Sequence, residues 1–255
     1  MKFSATGRYM RLLVINPNTT DSITHKVGAC VRAMVPQACE IRAVTAAFGP
    51  RYIASRAAFA IASHASLDAF AQHGAGADAI LLACFGDPGL DALREVANIP
   101  VIGLVEAAAH EASANGHRYA IVTGGERWGP MLEEMLRLRN LDGALAAIRT
   151  VAPSGAAIAA DPDGAIAMLA QACESVVKDD GAQAVILGGA GLVGLAARVQ
   201  PYVSAPVICS VEAGVRAALA ALTNAIQSNQ PKQADSVDSV GLSPALAALM
   251  ANKQA

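Results

Sequence analysis

A chain of 255 residues with 54% hydrophobic side chains has enough apolar surface for one large or two small domains with substantial cores, which excludes a disordered linker. Charged residues are only 16% and aromatics 4%, so small aliphatic side chains must do the packing, in helices and parallel strands. The net charge of -2 offers no basic field to a nucleic acid, and despite a mean hydropathy of +0.39 no stretch reaches the roughly 20 consecutive apolar residues of a membrane span.

Residues 1–9 are polar and lack the apolar core of a secretion signal, so the chain is expected in the cytoplasm. Short β-branched runs then alternate with alanine-rich stretches of helical period, and strands are expected at 12–15, 79–83, 101–105, 119–123, 184–187 and 207–211. The alternation predicts right-handed βαβ units in mainly parallel sheets flanked by helices, with ligands at the carboxyl ends of the strands. After the first strand, Asn16-Pro17-Asn18-Thr19-Thr20 must turn, because the proline keeps Asn16 out of the helical region. Its polar groups either face a ligand or cap the next helix through Thr19 or Thr20. After the second strand come Cys84 and then Phe85, Gly86, Asp87, Pro88 and Gly89. Asp87 is expected to cap the next helix and Pro88 to start it, leaving the thiol near an N-terminus that favours a thiolate and can hold a carboxylate or enolate oxygen. That placement suits a catalytic cysteine or a small core residue.

Further along, Glu106 and Glu212 follow strands in matched places, either as catalytic carboxylates or as first-turn helix residues. Thr123-Gly124-Gly125 ends another strand and carries the same ambiguity as the Asn16 turn. Gly189-Ala-Gly191-Leu-Val-Gly194 is a literal GxGxxG, but its late position in the chain argues against a dinucleotide site. The other cysteines are expected as reduced thiols, Cys30 and Cys173 in helices, Cys39 in a connection and Cys209 within a strand. No histidine spacing suggests a metal site. The stretch 227–240 is polar and suits a loop, after which 242–253 reads as a short amphipathic helix with Ser243 as N-cap and Pro244 at its first position, docked on a neighbouring subunit or frayed.

An internal repeat organises the chain. Pro100-Val-Ile-Gly-Leu-Val-Glu-Ala107 returns as Pro206-Val-Ile-Cys-Ser-Val-Glu-Ala213, Leu81-Leu-Ala-Cys-Phe-Gly86 falls on Ile186-Leu-Gly-Gly-Ala-Gly191, and Leu12-Leu-Val-Ile-Asn16 falls on Tyr119-Ala-Ile-Val-Thr123. The expected architecture is therefore two pseudo-symmetric α/β lobes, 10–107 plus 208–226 and 108–207, followed by a tail over 227–255. The lobes face each other across a cleft, with Asn16 opposite Thr123 and Cys84 opposite Gly189.

Val14-Ile-Asn-Pro-Asn-Thr19, Ala83-Cys-Phe-Gly-Asp-Pro-Gly-Leu90, Pro100-Val-Ile-Gly-Leu-Val-Glu-Ala107, Thr123-Gly-Gly-Glu-Arg-Trp128 and Leu187-Gly-Gly-Ala-Gly191 resemble, in order, blocks of the hydantoin racemases and allied allantoin racemases in the aspartate/glutamate racemase superfamily. The resemblance spans residues 10–221 and rests most on the CFGDPGL block. It implies two α/β lobes, a small-molecule substrate, no cofactor, a homo-oligomer, and two cysteines that remove and return a proton on opposite faces of one carbon. By position, Cys84 would be one acid/base, Asn16 and Thr123 would hold substrate polar groups, and the amides around Phe85, Gly86 and Ala190 would stabilise the developing oxyanion. The family's second cysteine stands at Gly189, which has no proton to exchange. The outcomes are a racemase with water or another group on that face, a one-thiol decarboxylase or isomerase of the arylmalonate decarboxylase kind, or a non-catalytic binding protein.

Overall fold

The structure, a computed structural model, describes residues 10–225 and 236–251. The expectations for 1–9 and for most of the polar stretch before the last helix lie outside the described residues. Chain order is β1 (Met10–Asn16), α1 (Asp21–Met34), β2 (Cys39–Thr45), α2 (Arg56–His73), β3 (Ala79–Leu82), α3 (Leu90–Val96), β4 (Val101–Gly103), α4 (Leu104–Ala112), β5 (Tyr119–Gly124), α5 (Trp128–Leu138), β6 (Leu145–Val151), α6 (Gly155–Ala160), α7 (Pro162–Asp180), β7 (Ala184–Gly188), α8 (Leu195–Val199), β8 (Val207–Cys209), α9 (Ser210–Ala225) and α10 (Pro244–Met250).

Two four-stranded sheets result, ordered β2-β1-β3-β4 and β6-β5-β7-β8, with every pairing parallel. The repeated blocks occupy equivalent strands, β1 with β5, β3 with β7 and β4 with β8. The inner strands are buried on both faces, as continuous apolar runs such as Ala79-Ile-Leu-Leu82 require.

The sequence expectation missed one edge strand in each sheet. β2 and β6 pair on one side only and are half-buried, and Glu40, Arg42 and Arg149 interrupt their apolar runs. Cys39 therefore opens a strand rather than lying in a connection. Conversely, β4 and β8 stop after three residues, because Leu104 and Ser210 already begin helices. An apolar run cannot by itself separate a strand from the buried face of the helix that follows it.

The two helices after these short strands are exchanged. α4 packs on α9 and, besides β4 of its own sheet, reaches β7 and β8, while α9, besides β7 and β8 of its own sheet, reaches β3 and β4. The approach is close: a Cβ on Gly214 would sit 2.5 Å from a Leu104 methyl and 3.0 Å from a Leu81 methyl. α10 docks on α2 of its own chain. Leu246 is buried there, the Ser243 hydroxyl accepts from the Leu246 amide at 3.2 Å, and the same hydroxyl hydrogen-bonds Asp68. Among the described residues no helix is long and apolar enough to cross a membrane.

Candidate functional site

The carboxyl ends of β3, β5 and β7 open on a cavity of about 320 Å³ between the lobes. Cys84, Phe85, Thr123, Gly189 and Ala190 all line it, so five of the residues singled out by sequence come together. Asn18, Thr20 and α1 add polar groups, while Ile23, Ile53, Trp128, Leu192 and the alanines of α6 make an apolar wall.

Asn16 does not join them. It is 0% exposed, and its amide nitrogen donates to Asn18 Oδ1 at 3.1 Å, to the Thr20 carbonyl at 3.3 Å and to Thr24 Oγ1 at 3.0 Å. It thus ties the Asn-Pro turn inward, and it is Asn18 and Thr20 that reach the cavity. Thr20 stands at the N-cap of α1 without capping it, because its hydroxyl donates to the Arg51 carbonyl at 2.7 Å. Gly86 is also absent from the cavity wall: a Cβ there would lie 2.6 Å from the Trp128 ring, which covers it.

Cys84 is 8% exposed at the end of β3. The expected lowering of its pKa by a helix N-terminus does not occur, since α3 starts only at Leu90, after a left-handed Gly89 (φ 84°). Burial instead pushes the thiol up, and the charge of Asp87 pushes the same way. Nor does Asp87 cap α3. With φ at 51° it turns across to α4, where its carboxylate accepts from the Val105 amide at 3.1 Å and the Glu106 amide at 3.2 Å. Asp87 is 1% exposed, and burial raises its pKa to about 6 against the pull of those amides and of Arg139. Only glycine fits beneath it, for a Cβ on Gly103 would sit 2.3 Å from Asp87 Oδ2.

Among the described residues, the amides of Phe85, Gly86 and Ala190 donate to no acceptor. The Thr123 hydroxyl donates to the Gly188 carbonyl at 2.8 Å. Gly189 has φ 137° and ψ 131°, a conformation that side-chain-bearing residues rarely adopt, and its amide donates to the Ser210 hydroxyl at 3.2 Å. Its GxGxxG leads into a 3-10 turn and the five-residue α8, in the same cavity as Cys84.

Glu106 and Glu212 lie in first helical turns, as one of the two readings had it, paired with Arg94 at 2.9 Å and Arg216 at 3.7 Å, and neither lines the cavity. Among the described residues no three His, Cys, Asp or Glu side chains gather as a metal site.

Sequence reasoning missed Lys26, Arg51, Tyr52 and Trp128 on the cavity wall. Trp128 was visible as the chain's single tryptophan, closing the Thr123 block. Arg51 and Tyr52 follow β2, so overlooking that strand hid the strand-end position of its loop. Tyr52 spans the cleft, its hydroxyl donating to the Gly124 carbonyl at 3.2 Å and accepting from the Gly155 amide at 3.1 Å. Lys26 crosses similarly from α1 to the Ala159 carbonyl at 2.7 Å. Among the described residues no Asp or Glu lines the cavity.

The model of the family described as Asp/Glu/Hydantoin racemase matches residues 12–218. Hydantoin racemase of Paenarthrobacter aurescens is 35% identical over 211 residues, covering 82% of this chain and 89% of that protein. Hydantoin racemase of Pseudomonas sp. (strain NS671) is 33% identical over 208 residues, covering 81% and 84% respectively. Among solved structures, allantoin racemase from Pseudomonas fluorescens superposes with a TM-score of 0.82 at 31% identity, covering 87% of this chain and 94% of that one.

Proposed function

Because the chain belongs to the Asp/Glu/hydantoin racemase family, we propose that it racemises a small carbon acid of the hydantoin or allantoin type, with Cys84 as an acid/base at the carbon beside a carbonyl. The observation that carries this reading is the Cys84 thiol at the cavity wall, next to the unpartnered Phe85 amide. When the thiolate takes the α-hydrogen, the C–H electron pair moves onto the carbonyl oxygen. The amides of Phe85 and Ala190 are free to hold that oxyanion, from one lobe each. The substrate carbonyl is the electron sink, so the step asks for no cofactor. Thr123, Asn18 and Thr20 supply polar contacts for the rest of a cyclic imide or ureide.

The raised thiol pKa sets the pH dependence. Below that pKa the thiolate fraction grows about tenfold per pH unit, so proton abstraction by Cys84 is expected to accelerate through neutral and mildly alkaline pH without levelling off. The test is exchange of the α-hydrogen of hydantoins or allantoin in deuterated buffer. Cys84→Ala should lower racemisation by at least about a hundredfold. Wild-type protein that exchanges none of these substrates would sink the proposal.

One observation favours a second reading. Cys84 is the single thiol on the cavity wall among the described residues, which suits protonation of one face of an enolate left by decarboxylation. Release of carbon dioxide from a malonate-like acid, with chiral product, would support it; racemic product or no release would count against it.

A further inference from the structure

Racemisation needs a proton carrier on each face of the carbon, and on the racemase reading above Cys84 serves one of them. The equivalent strand end in the second lobe is Gly189, which offers only backbone. Few other cavity-wall side chains can carry a proton. Lys26 is exposed and holds the Ala159 carbonyl, and the hydroxyls of Thr123, Thr20 and Ser22 are alcohols, far weaker acids than a phenol. Tyr52 remains. It starts in a first-lobe loop, yet its hydroxyl is anchored to Gly124 and Gly155 of the second lobe. A Cβ built on Gly155 would lie 3.5 Å from that hydroxyl and 3.6 Å from the Leu192 Cδ1 methyl, and a Cβ built on Gly189 would lie 3.1 Å from the same methyl. Leu192 therefore joins the phenol's second-lobe anchor at Gly155 to the side-chain position missing at Gly189. We infer that the Tyr52 hydroxyl is the acid/base for the substrate face turned to the second lobe, standing in for a side chain at Gly189.

The step balances. Cys84 thiolate takes the α-hydrogen, breaking C–H and forming S–H, with the electron pair held as enolate. The Tyr52 O–H then gives its proton to the opposite face, the pair returns to carbon as a new C–H bond, and a phenolate remains. Solvent reprotonates the phenolate and takes the thiol proton, resetting both groups; the other enantiomer runs the same steps backwards. Burial, with the charge of Cys84, keeps the phenol protonated at rest, whereas the Gly155 amide donates to its oxygen at 3.1 Å and stabilises the anion. Lys26 and Arg51 are the charged side chains on the same wall.

The experiment follows single enantiomers of 5-isobutylhydantoin in deuterium oxide, scoring inversion and α-hydrogen exchange separately. Tyr52→Phe should lower inversion at least about a hundredfold. One enantiomer should still exchange with retention, and it should be the one whose exchange Cys84→Ala abolishes. A loss of the loop's bridging role alone would slow exchange of both enantiomers together, and that result, or undiminished inversion, overturns the inference. A second measurement avoids the lost hydrogen bonds. Difluorotyrosine at position 52 keeps both and makes the phenol more acidic, so the alkaline limb for the Tyr52-dependent enantiomer should move to lower pH; an unmoved limb also overturns it. Wild-type protein that exchanges neither enantiomer removes the racemase reading itself, and this inference with it. Active wild type with an unaltered Tyr52→Phe variant removes this inference alone.

Discussion

In the first lobe, the helix after the outermost inner-face strand starts under a buried carboxylate, with Asp87 taking the Val105 and Glu106 amides. In the second lobe, the equivalent helix starts beside a thiol. Burial pushes Cys209 up, while the amides of Glu212, Gly194 and Val211 pull its sulfur the other way. The strand ends differ in the same sense, Cys84 in one lobe and bare Gly189 in the other. Equal topology thus fixes where chemical groups can stand, a carboxylate or a thiol at the two helix starts, and a thiol in one lobe but only backbone in the other at the strand ends. The backbone amides of both lobes remain available in either case.

The sharpest way to break the comparison is to empty the first helix start. Asp87→Ala strands the amides it satisfies, with an expected cost of about 3 kcal/mol by denaturant unfolding, against about 1 kcal/mol for Cys209→Ala. Equal costs would mean that the carboxylate has no special part in the first lobe. Comparable in size is a pH effect. The folded Asp87 binds its proton more tightly than the unfolded chain does, because its pKa is raised to about 6. Its contribution is therefore full below about pH 4 and lost as pH rises through about 6, a change of about 3 kcal/mol that Asp87→Asn should flatten. Smaller again is Gly189→Ala, expected to cost about 1–2 kcal/mol, since the backbone there has φ 137° and a Cβ would press on Leu192 at 3.1 Å. Preserved stability would show that the loop relaxes to accept a side chain. The smallest effect concerns the exposed Arg56–Glu134 pair between α2 and α5, where Glu134→Gln should shift stability by less than about 0.5 kcal/mol.

The duplicated βαβ order was legible because the inner strands are continuous apolar runs whose neighbours in sequence repeat. The strand-end rule then carried Cys84, Phe85, Thr123, Gly189 and Ala190 to one cavity. What escaped depends on contacts between segments distant in sequence. Asp87 has a helix start just downstream that it could cap, and only the packed fold offers it α4 instead. Asn16 and Gly86 belong to blocks that do meet the cavity, but one is turned inward by Thr24 and the other is covered by Trp128. Tyr52 was hidden behind β2, whose solvent-facing charges disguise a strand.

The exchange of α4 and α9 has a consequence for how the duplicated halves hold together. Each half lends its last helix to the other, so the sheet face turned to the α4–α9 pair is covered in part by the opposite half. The repeat behaves like two arms linked at the elbow: relative rotation of the halves must shear the α4–α9 contact, where Gly214 leaves no slack against Leu104 and Leu81. Entry of a ligand is thereby left to the loops at the rim, and the gap between the two sheets keeps a set width.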